Sequence, residues 1–225
     1  MKPVLYDFPQ QAAYGKVLPK SKFYEQVRPS RSIRDGFTAQ IEKVTWQYVL
    51  APHTVNLPAA RSVEEIAVFE ISLKTGELDE NILRTIDKAI RLPIFYMLTF
   101  AGKVKYIAAY KRPNEADASR WVVDAYFESA WLPSDVARSA LPVALDLVGL
   151  YEQMLRRLML EPSRKGETLK EQVERQVQIR SAQAECRKME ARLHKEKQFN
   201  RKVEINALLR QLRNEIEQLT GRVRA

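Results

Sequence analysis

The chain has 225 residues and a net charge of +9, and 45% of its residues are hydrophobic, so it can form one globular domain with an extension or two small domains. It has no apolar run of the roughly 20 residues that a membrane span needs, and its first residues lack the apolar stretch of a secretory signal. Its single cysteine, Cys186, excludes an internal disulfide and a cysteine-rich zinc site. We therefore expect a cytoplasmic protein without a membrane partner.

The positive charge is concentrated toward the C-terminus. Residues 163–225 contain 16 Lys and Arg against 9 Asp and Glu, a net charge of +7, whereas residues 1–162 contain 21 against 19, a net charge of +2. A basic segment suits nucleic acid, an acidic protein or an anionic surface. A solvated, charge-rich helix explains the same composition equally well.

The first part of the chain predicts an N-terminal arm over residues 1–25, followed by a helix. From Ser30 to about Trp46 the apolar residues recur at helical spacing; they are Ile33, Phe37, Ile41 and Val44. From Trp46 to Leu57 the sequence predicts extended chain with a turn at Pro52.

The middle of the chain alternates strand and helix signals. Residues 64–74 alternate with the period of a strand, and Asp79 is a candidate N-cap for the helix that follows. Gly102 marks a hairpin, residues 121–131 predict another strand, and residues 141–160 predict a helix. The prediction is an α+β domain over residues 26–162, with a mainly antiparallel sheet and flanking helices.

Residues 163–225 predict a long, basic coiled-coil helix. Nothing between Glu167 and Thr220 breaks a helix, and a continuous one would reach about 80 Å. A coiled-coil seam alternates by four and three along its last part; its members are Ile205, Leu209, Leu212, Ile216, Leu219 and Val223. The seam fails upstream of Ile205. It favours self-association into a homo-oligomer, and an antiparallel fold-back onto the globular body is the alternative.

A second side of the same predicted helix carries cations around one aromatic ring. Phe199 and Val203 are four residues apart and lie away from the seam. Four cations follow them at spacings of three and four: Lys188, Arg192, Lys195 and Lys202. Three interpretations stay open: a stripe that follows DNA or RNA phosphates, an anchor for an acidic protein groove, or packing onto the chain's own body.

The sequence offers only one combination with catalytic character. Glu42 on the first helix, with Glu70 and Lys74 on one strand, could hold Mg²⁺ for phosphodiester cleavage. Glu70 and Lys74 are four residues apart, about 13 Å along a strand. The alternative is that Glu70 is an ordinary half-exposed strand residue. Outside the nuclease interpretation we expect no metal and no cofactor.

Several stretches resemble one bacterial and archaeal family, known as domain of unknown function family 4391. They include VFEISLK (Val68–Lys74), KVKYIAAYK (Lys103–Lys111), LYEQMLRRL (Leu150–Leu158) and KEKQFNRKVEIN (Lys195–Asn206). The resemblance implies genes encoded beside superfamily-two helicases and DNA methyltransferases, in loci like those of restriction or antiphage defence. It carries no catalytic residues.

Three functions therefore stay open. The interpretation we favour is a non-catalytic accessory subunit whose C-terminal helix docks a helicase or DNA methyltransferase, or brings DNA to it. The alternatives are a metal-dependent nuclease that uses Glu42, Glu70 and Lys74, and a nucleic-acid-binding protein that acts through its basic tail.

Overall fold

A computed structural model describes residues 5–60, 63–113 and 121–221. The chain divides into two compact units, residues 1–159 and residues 160–225. The α+β class with a mainly antiparallel sheet is confirmed. In the part of the chain that the structure describes, no helix is both long enough and apolar enough to span a membrane.

The first unit is built on one large sheet. The described strands of this unit, in chain order, are β1 (Leu5–Asp7), β2 (Ala13–Val17), β3 (Ile41–Leu50), β4 (Ile66–Leu73), β5 (Ile94–Phe100), β6 (Lys103–Pro113), β7 (Trp121–Glu128), β8 (Leu132–Pro133) and β9 (Arg138–Ala140). The short strands β1 and β9 pair with each other and not with the large sheet. The sheet order is β2-β3-β4-β5-β6-β7, with β8 also on β6, while β1 pairs with β9. The β4–β5 pair is parallel and the other pairs of the large sheet are antiparallel.

The α-helices of the first unit lie between or after these strands. They are α1 (Lys20–Val27), α2 (Arg31–Gln40), α3 (Pro52–Val55), α4 (Glu80–Ala89) and α5 (Leu147–Arg156). Parallel strands need a crossover, and α4 supplies it between β4 and β5. Asp79 caps α4 as predicted, since its side chain accepts a hydrogen bond from the backbone N–H of Asn81 at 2.9 Å.

The main core lies on the face of the sheet that α1, α2 and α4 cover. The alternation predicted for β4 is confirmed, because Phe69 and Ile71 are fully buried there together with Phe37 and Ile86. The other face carries an aromatic cluster in which Tyr106 stacks with Tyr6 at 5.6 Å between ring centroids. Residues 5–25, expected as an arm, therefore include a strand of the sheet and part of its packing.

The helix predicted from Ser30 to Trp46 is wrong beyond Gln40, because β3 begins at Ile41. A β-bulge between Ile41 and Lys43 places Ile41 and Val44, three residues apart, against the same core. A bulged strand thus reproduces the apolar spacing of a helix. The extended segment predicted to Leu57 ends at Leu50, and the helix predicted over 141–160 is limited to α5.

The predicted hairpin at Gly102 is confirmed. Ala101 and Gly102 both have positive φ, 46° and 72°, between the antiparallel strands β5 and β6. Two consecutive left-handed residues match the right-handed twist of the strands that they join.

The second unit is a helical hairpin. Its helices are α6 (Leu169–Lys195) and α7 (Phe199–Thr220). The predicted continuous helix is therefore wrong: the chain leaves the helical conformation at Glu196, whose ψ is 136°, and re-enters it at Phe199. The helices run antiparallel, because Glu190 pairs with Arg213 while Arg175, earlier in the chain, contacts Leu219.

Candidate interaction surface at the hairpin tip

The coiled-coil seam predicted on α7 packs against α6 of the same chain. Ile205 and Leu209 are 3% and 2% exposed and form a core with Cys186, which is 7% exposed. The half-buried Leu212 and Ile216 pack against this core, together with Met189 and Leu193 of α6. Leu219 is half-buried near the end of α7, and the predicted seam member Val223 lies outside the described residues. The described seam is thus occupied within the hairpin.

The base of the hairpin is fixed by two arginines. Arg175 contacts Glu167 through two nitrogens, at 2.6 and 2.8 Å, and donates to the carbonyl of Pro162. Arg164 donates to the carbonyls of Gln218 and Leu219 at the end of α7. Cations at a helix C-terminus satisfy its last carbonyls and oppose its dipole. The hydrogen bond from Arg175 lowers the pKa of Glu167 to about 2.

The opposite end, residues 187–203, is named here the hairpin tip. It collects every member of the predicted cationic and aromatic surface, namely Lys188, Arg192, Lys195, Phe199, Lys202 and Val203. The observed arrangement differs from the predicted one, however. The residues lie on both sides of a chain reversal between α6 and α7, whereas the prediction placed them in a stripe along one continuous helix. Phe199 is 78% exposed and Val203 is 52% exposed, so neither packs as a core residue.

The hairpin tip is the most basic part of the chain. Its 17 residues contain seven Lys and Arg against two Asp and Glu, a net charge of +5 out of +9 for the whole chain. Among the described residues, one tip cation lies within 4 Å of an acidic side chain: Lys188, which is 3.5 Å from Glu185. The tip acid Glu190 pairs with Arg213, which lies outside the tip. Most of the tip charge is therefore available to an external anion.

The start of α7 adds to this positive potential. Its first turn contains no acidic residue, and Arg201 and Lys202 lie where a helix dipole is already positive. Glu196 accepts hydrogen bonds from the backbone N–H groups of Lys197 and Gln198, which lower its pKa. The N–H groups of α7 itself have no side-chain cap. The tip can therefore bind phosphate or carboxylate groups beside an exposed aromatic ring.

The predicted catalytic residues lie in the first unit, on the neighbouring antiparallel strands β3 and β4 and directly after β4. Glu42 lies on β3 and is exposed, so its predicted position on a helix is wrong. Glu70 is half-buried and pairs with Thr45 and Met97. Lys74 Nζ donates to the carbonyl of Thr38 at 2.8 Å, at the end of α2. Over the described residues, no group of three or more His, Cys, Asp or Glu side chains could hold a metal. The nuclease interpretation stays a prediction.

Sequence reasoning missed a buried ionic cluster beneath α4. Asp87 and Lys111 have side chains 0% and 1% exposed, and the Lys111 Nζ lies 2.6 Å from Oδ1 of Asp87. Tyr126 donates its hydroxyl hydrogen to the same carboxylate. The signal was present: Lys111 continues the inward alternation of Ile107 and Ala109, both buried. Burial lowers the pKa of Lys111, and its partner Asp87 opposes that shift.

The structure thus defines a class of protein, an α+β domain followed by a basic helical hairpin with an exposed aromatic residue at its tip. The family model described as Domain of unknown function (DUF4391) matches residues 6–216, and the chain belongs to this family. No curated protein and no solved structure matches the chain. The resemblance drawn from the sequence is confirmed as to family, and its gene neighbourhood stays a prediction.

Proposed function

We propose that this protein is a non-catalytic accessory subunit of a DNA-processing system, and that its hairpin tip binds nucleic acid. The observation that carries the proposal is the concentration of +5 net charge in 17 tip residues around an exposed Phe199. Phosphate neutralisation by Lys and Arg supplies most of the affinity in such contacts, since it releases condensed counterions.

The geometry of the hairpin supports this role in a second way. The apolar seam of α7 packs against α6, and Arg164 and Arg175 hold the base of the hairpin by hydrogen bonds. The two helices therefore hold the tip residues in a fixed arrangement. A fixed support reduces the ordering cost that a flexible basic tail would bear on binding. We further propose that a helicase or DNA methyltransferase acts on the nucleic acid that the tip holds.

The test is binding of a labelled DNA duplex by fluorescence anisotropy at several salt concentrations. The double variant Lys195→Glu/Lys202→Glu is expected to weaken binding and to reduce the slope of log K against log[salt] by about two, or about one per phosphate contact. Phe199→Ala tests the exposed ring separately.

The matched control is Lys103→Glu/Lys170→Glu, which changes the net charge equally at exposed lysines outside the tip. It is expected to bind almost as the unmodified protein does. Equal loss in both double variants would show that only overall charge matters. Binding that ignores both salt and the tip variant would overturn the proposal.

A further inference from the structure

The edge of the large sheet carries a second concentration of positive charge. Residues 13–28, which comprise β2 and α1, contain four Lys and Arg against one Glu, a net charge of +3. Residues 1–162 as a whole carry only +2, so the rest of that segment is slightly acidic. The excess is therefore local to this edge, just as the excess of the second unit is local to the hairpin tip.

An exposed aromatic ring lies on the edge strand β2. Tyr14 on β2 is 50% exposed, and its ring lies edge-on to Trp46 of β3 at 5.3 Å between centroids. The register of β2 on β3 shifts between Ala13 and Lys16, around Gly15, whose φ is +66°. The ring is thus held by its neighbour Trp46 on an irregular edge strand while half of its surface faces solvent.

A cavity of about 430 Å³ lies against this ring. Tyr14 and Trp46 form its aromatic side, Phe23 and Ile90 contribute apolar surface, and its charged lining residues are Lys16, Lys22 and Glu25. The Lys16 Nζ lies 6.0 Å from the centre of the Tyr14 ring, so this cation and the ring share one side of β2. Aromatic surface beside exposed ammonium groups suits a planar ring that is linked to an anion.

The same aromatic pair borders a second cavity of about 330 Å³. Its polar lining includes Gln11, His53 and Glu65. These side chains provide hydrogen-bond donors and acceptors next to the aromatic pair, whereas the lysines lie in the first cavity. Tyr14 thus borders both a cavity with groups able to contact a base edge and a cavity with groups able to contact a phosphate.

We propose that this edge is a binding site for single-stranded nucleic acid, in which a base stacks on Tyr14 and the adjacent phosphates contact Lys16 and Lys22. Stacking on an exposed aromatic residue requires an unpaired base, whereas a duplex keeps its bases inside. The site lies wholly within the first unit and does not depend on the role proposed for the hairpin tip.

The test measures binding of a labelled oligothymidylate about 16 nucleotides long, with a duplex of equal length as the second probe. Tyr14→Ala is expected to weaken oligothymidylate binding by about fivefold to 150-fold, the range for loss of one stacked base, and to leave duplex binding unchanged. Tyr14→Phe keeps the ring and is expected to restore the affinity. Lys16→Glu/Lys22→Glu is expected to weaken binding and lower its salt dependence.

The tip variant Lys195→Glu/Lys202→Glu separates the two proposals, because it is expected to weaken the duplex complex, which Tyr14→Ala spares. Photocrosslinking of an oligonucleotide that contains 5-iodouracil identifies directly which residues contact the base. The crosslinked peptide is expected to include Tyr14 or Trp46. The unfolding midpoint by tryptophan fluorescence verifies that the variants in the first unit fold, and helical circular dichroism verifies that the tip variant folds.

The proposal is overturned if Tyr14→Ala binds oligothymidylate within twofold of the unmodified protein, even where Lys16→Glu/Lys22→Glu does not. It is also overturned if crosslinks occur only in residues 160–225. Displacement of the oligonucleotide by polyglutamate at equal charge concentration would instead identify a general polyanion or acidic-protein surface, and would likewise overturn it.

Discussion

Loss of the Lys111 ammonium is expected to destabilise the first unit severely. Lys111 Nζ lies 2.6 Å from the Asp87 carboxylate and donates to the carbonyls of Ile90 and Leu92 at 3.0 and 2.8 Å, beyond the end of α4. Lys111→Met keeps the length of the side chain but removes all of these contacts. Breaking a buried ion pair from one side costs about 3–5 kcal/mol.

The stability lost in Lys111→Met also has an upper limit, and this limit depends on pH. The stranded carboxylate can take up a proton, which costs about 4 kcal/mol at pH 7 because an ordinary aspartate has a pKa of about 3.9 and each pH unit is about 1.36 kcal/mol. This cost falls to about 1.5 kcal/mol at pH 5. The variant is therefore expected to approach the unmodified protein as pH falls, since its folded state then binds the extra proton more easily.

The assay is urea unfolding at pH 5 and pH 7, followed by tryptophan fluorescence. All three tryptophans lie in residues 1–159, so their signal reports on the first unit alone. Lys105→Met is the matched control on the same strand, because Lys105 pairs with a Glu128 side chain that is 54% exposed and should contribute less than about 1 kcal/mol.

A second variant tests the same reasoning from the opposite direction. Asp87→Leu/Lys111→Met/Tyr126→Phe removes the buried charges and the hydroxyl donor together, and it is expected to recover most of the loss, since apolar replacement of a buried pair is often neutral. A cost below about 1 kcal/mol for Lys111→Met at pH 7, or a cost that does not change with pH, would refute the account.

Three further predictions concern single positions. Leu209→Ala should destabilise the hairpin by about 2–5 kcal/mol, whereas Leu208→Ala, at a position 47% exposed, should cost less than about 1 kcal/mol; thermal melts by circular dichroism compare them. Because the pKa of Glu167 is lowered to about 2, its charge stabilises the hairpin above pH 4.5 and this contribution is lost as pH falls toward 2, so Glu167→Gln should flatten the dependence of the melting midpoint on pH between those values. Gly102→Ala should cost about 1 kcal/mol in urea unfolding because φ is +72°, and an unchanged midpoint would contradict the turn assignment.

Much of the first unit could be predicted because its elements obey simple periods. The alternation of β4, the cap of α4 and the Gly102 turn are local features, and each followed from a few neighbouring residues. The early part of β3 was assigned to a helix because its bulge converts a spacing of two into a spacing of three. Local periodicity cannot distinguish a helix from a bulged strand with the same apolar spacing unless the partner strand is known.

The prediction of one continuous C-terminal helix, where the structure has the helical hairpin of α6 and α7, is wrong for a different reason. No Gly or Pro marks the reversal at Glu196–Gln198, so local propensity favours a continuous helix. The loss of the seam upstream of Ile205 was the available signal, since it coincides with the reversal. The six residues of the predicted cationic and aromatic surface nevertheless all lie in the hairpin tip, because they are close in sequence, and their role in binding stays a prediction. The buried Asp87 was missed because its partner Lys111 is distant in sequence.

The single cysteine gives the hairpin a built-in reporter of helix separation. Cys186 lies between α6 and α7, 7% exposed, and burial raises the pKa of its thiol. Both effects slow its alkylation, so the reaction has to wait until the two helices part. The rate of labelling by a thiol reagent therefore measures how often the hairpin opens, and a ligand that clamps the helices together would register as a slower rate in the unmodified chain.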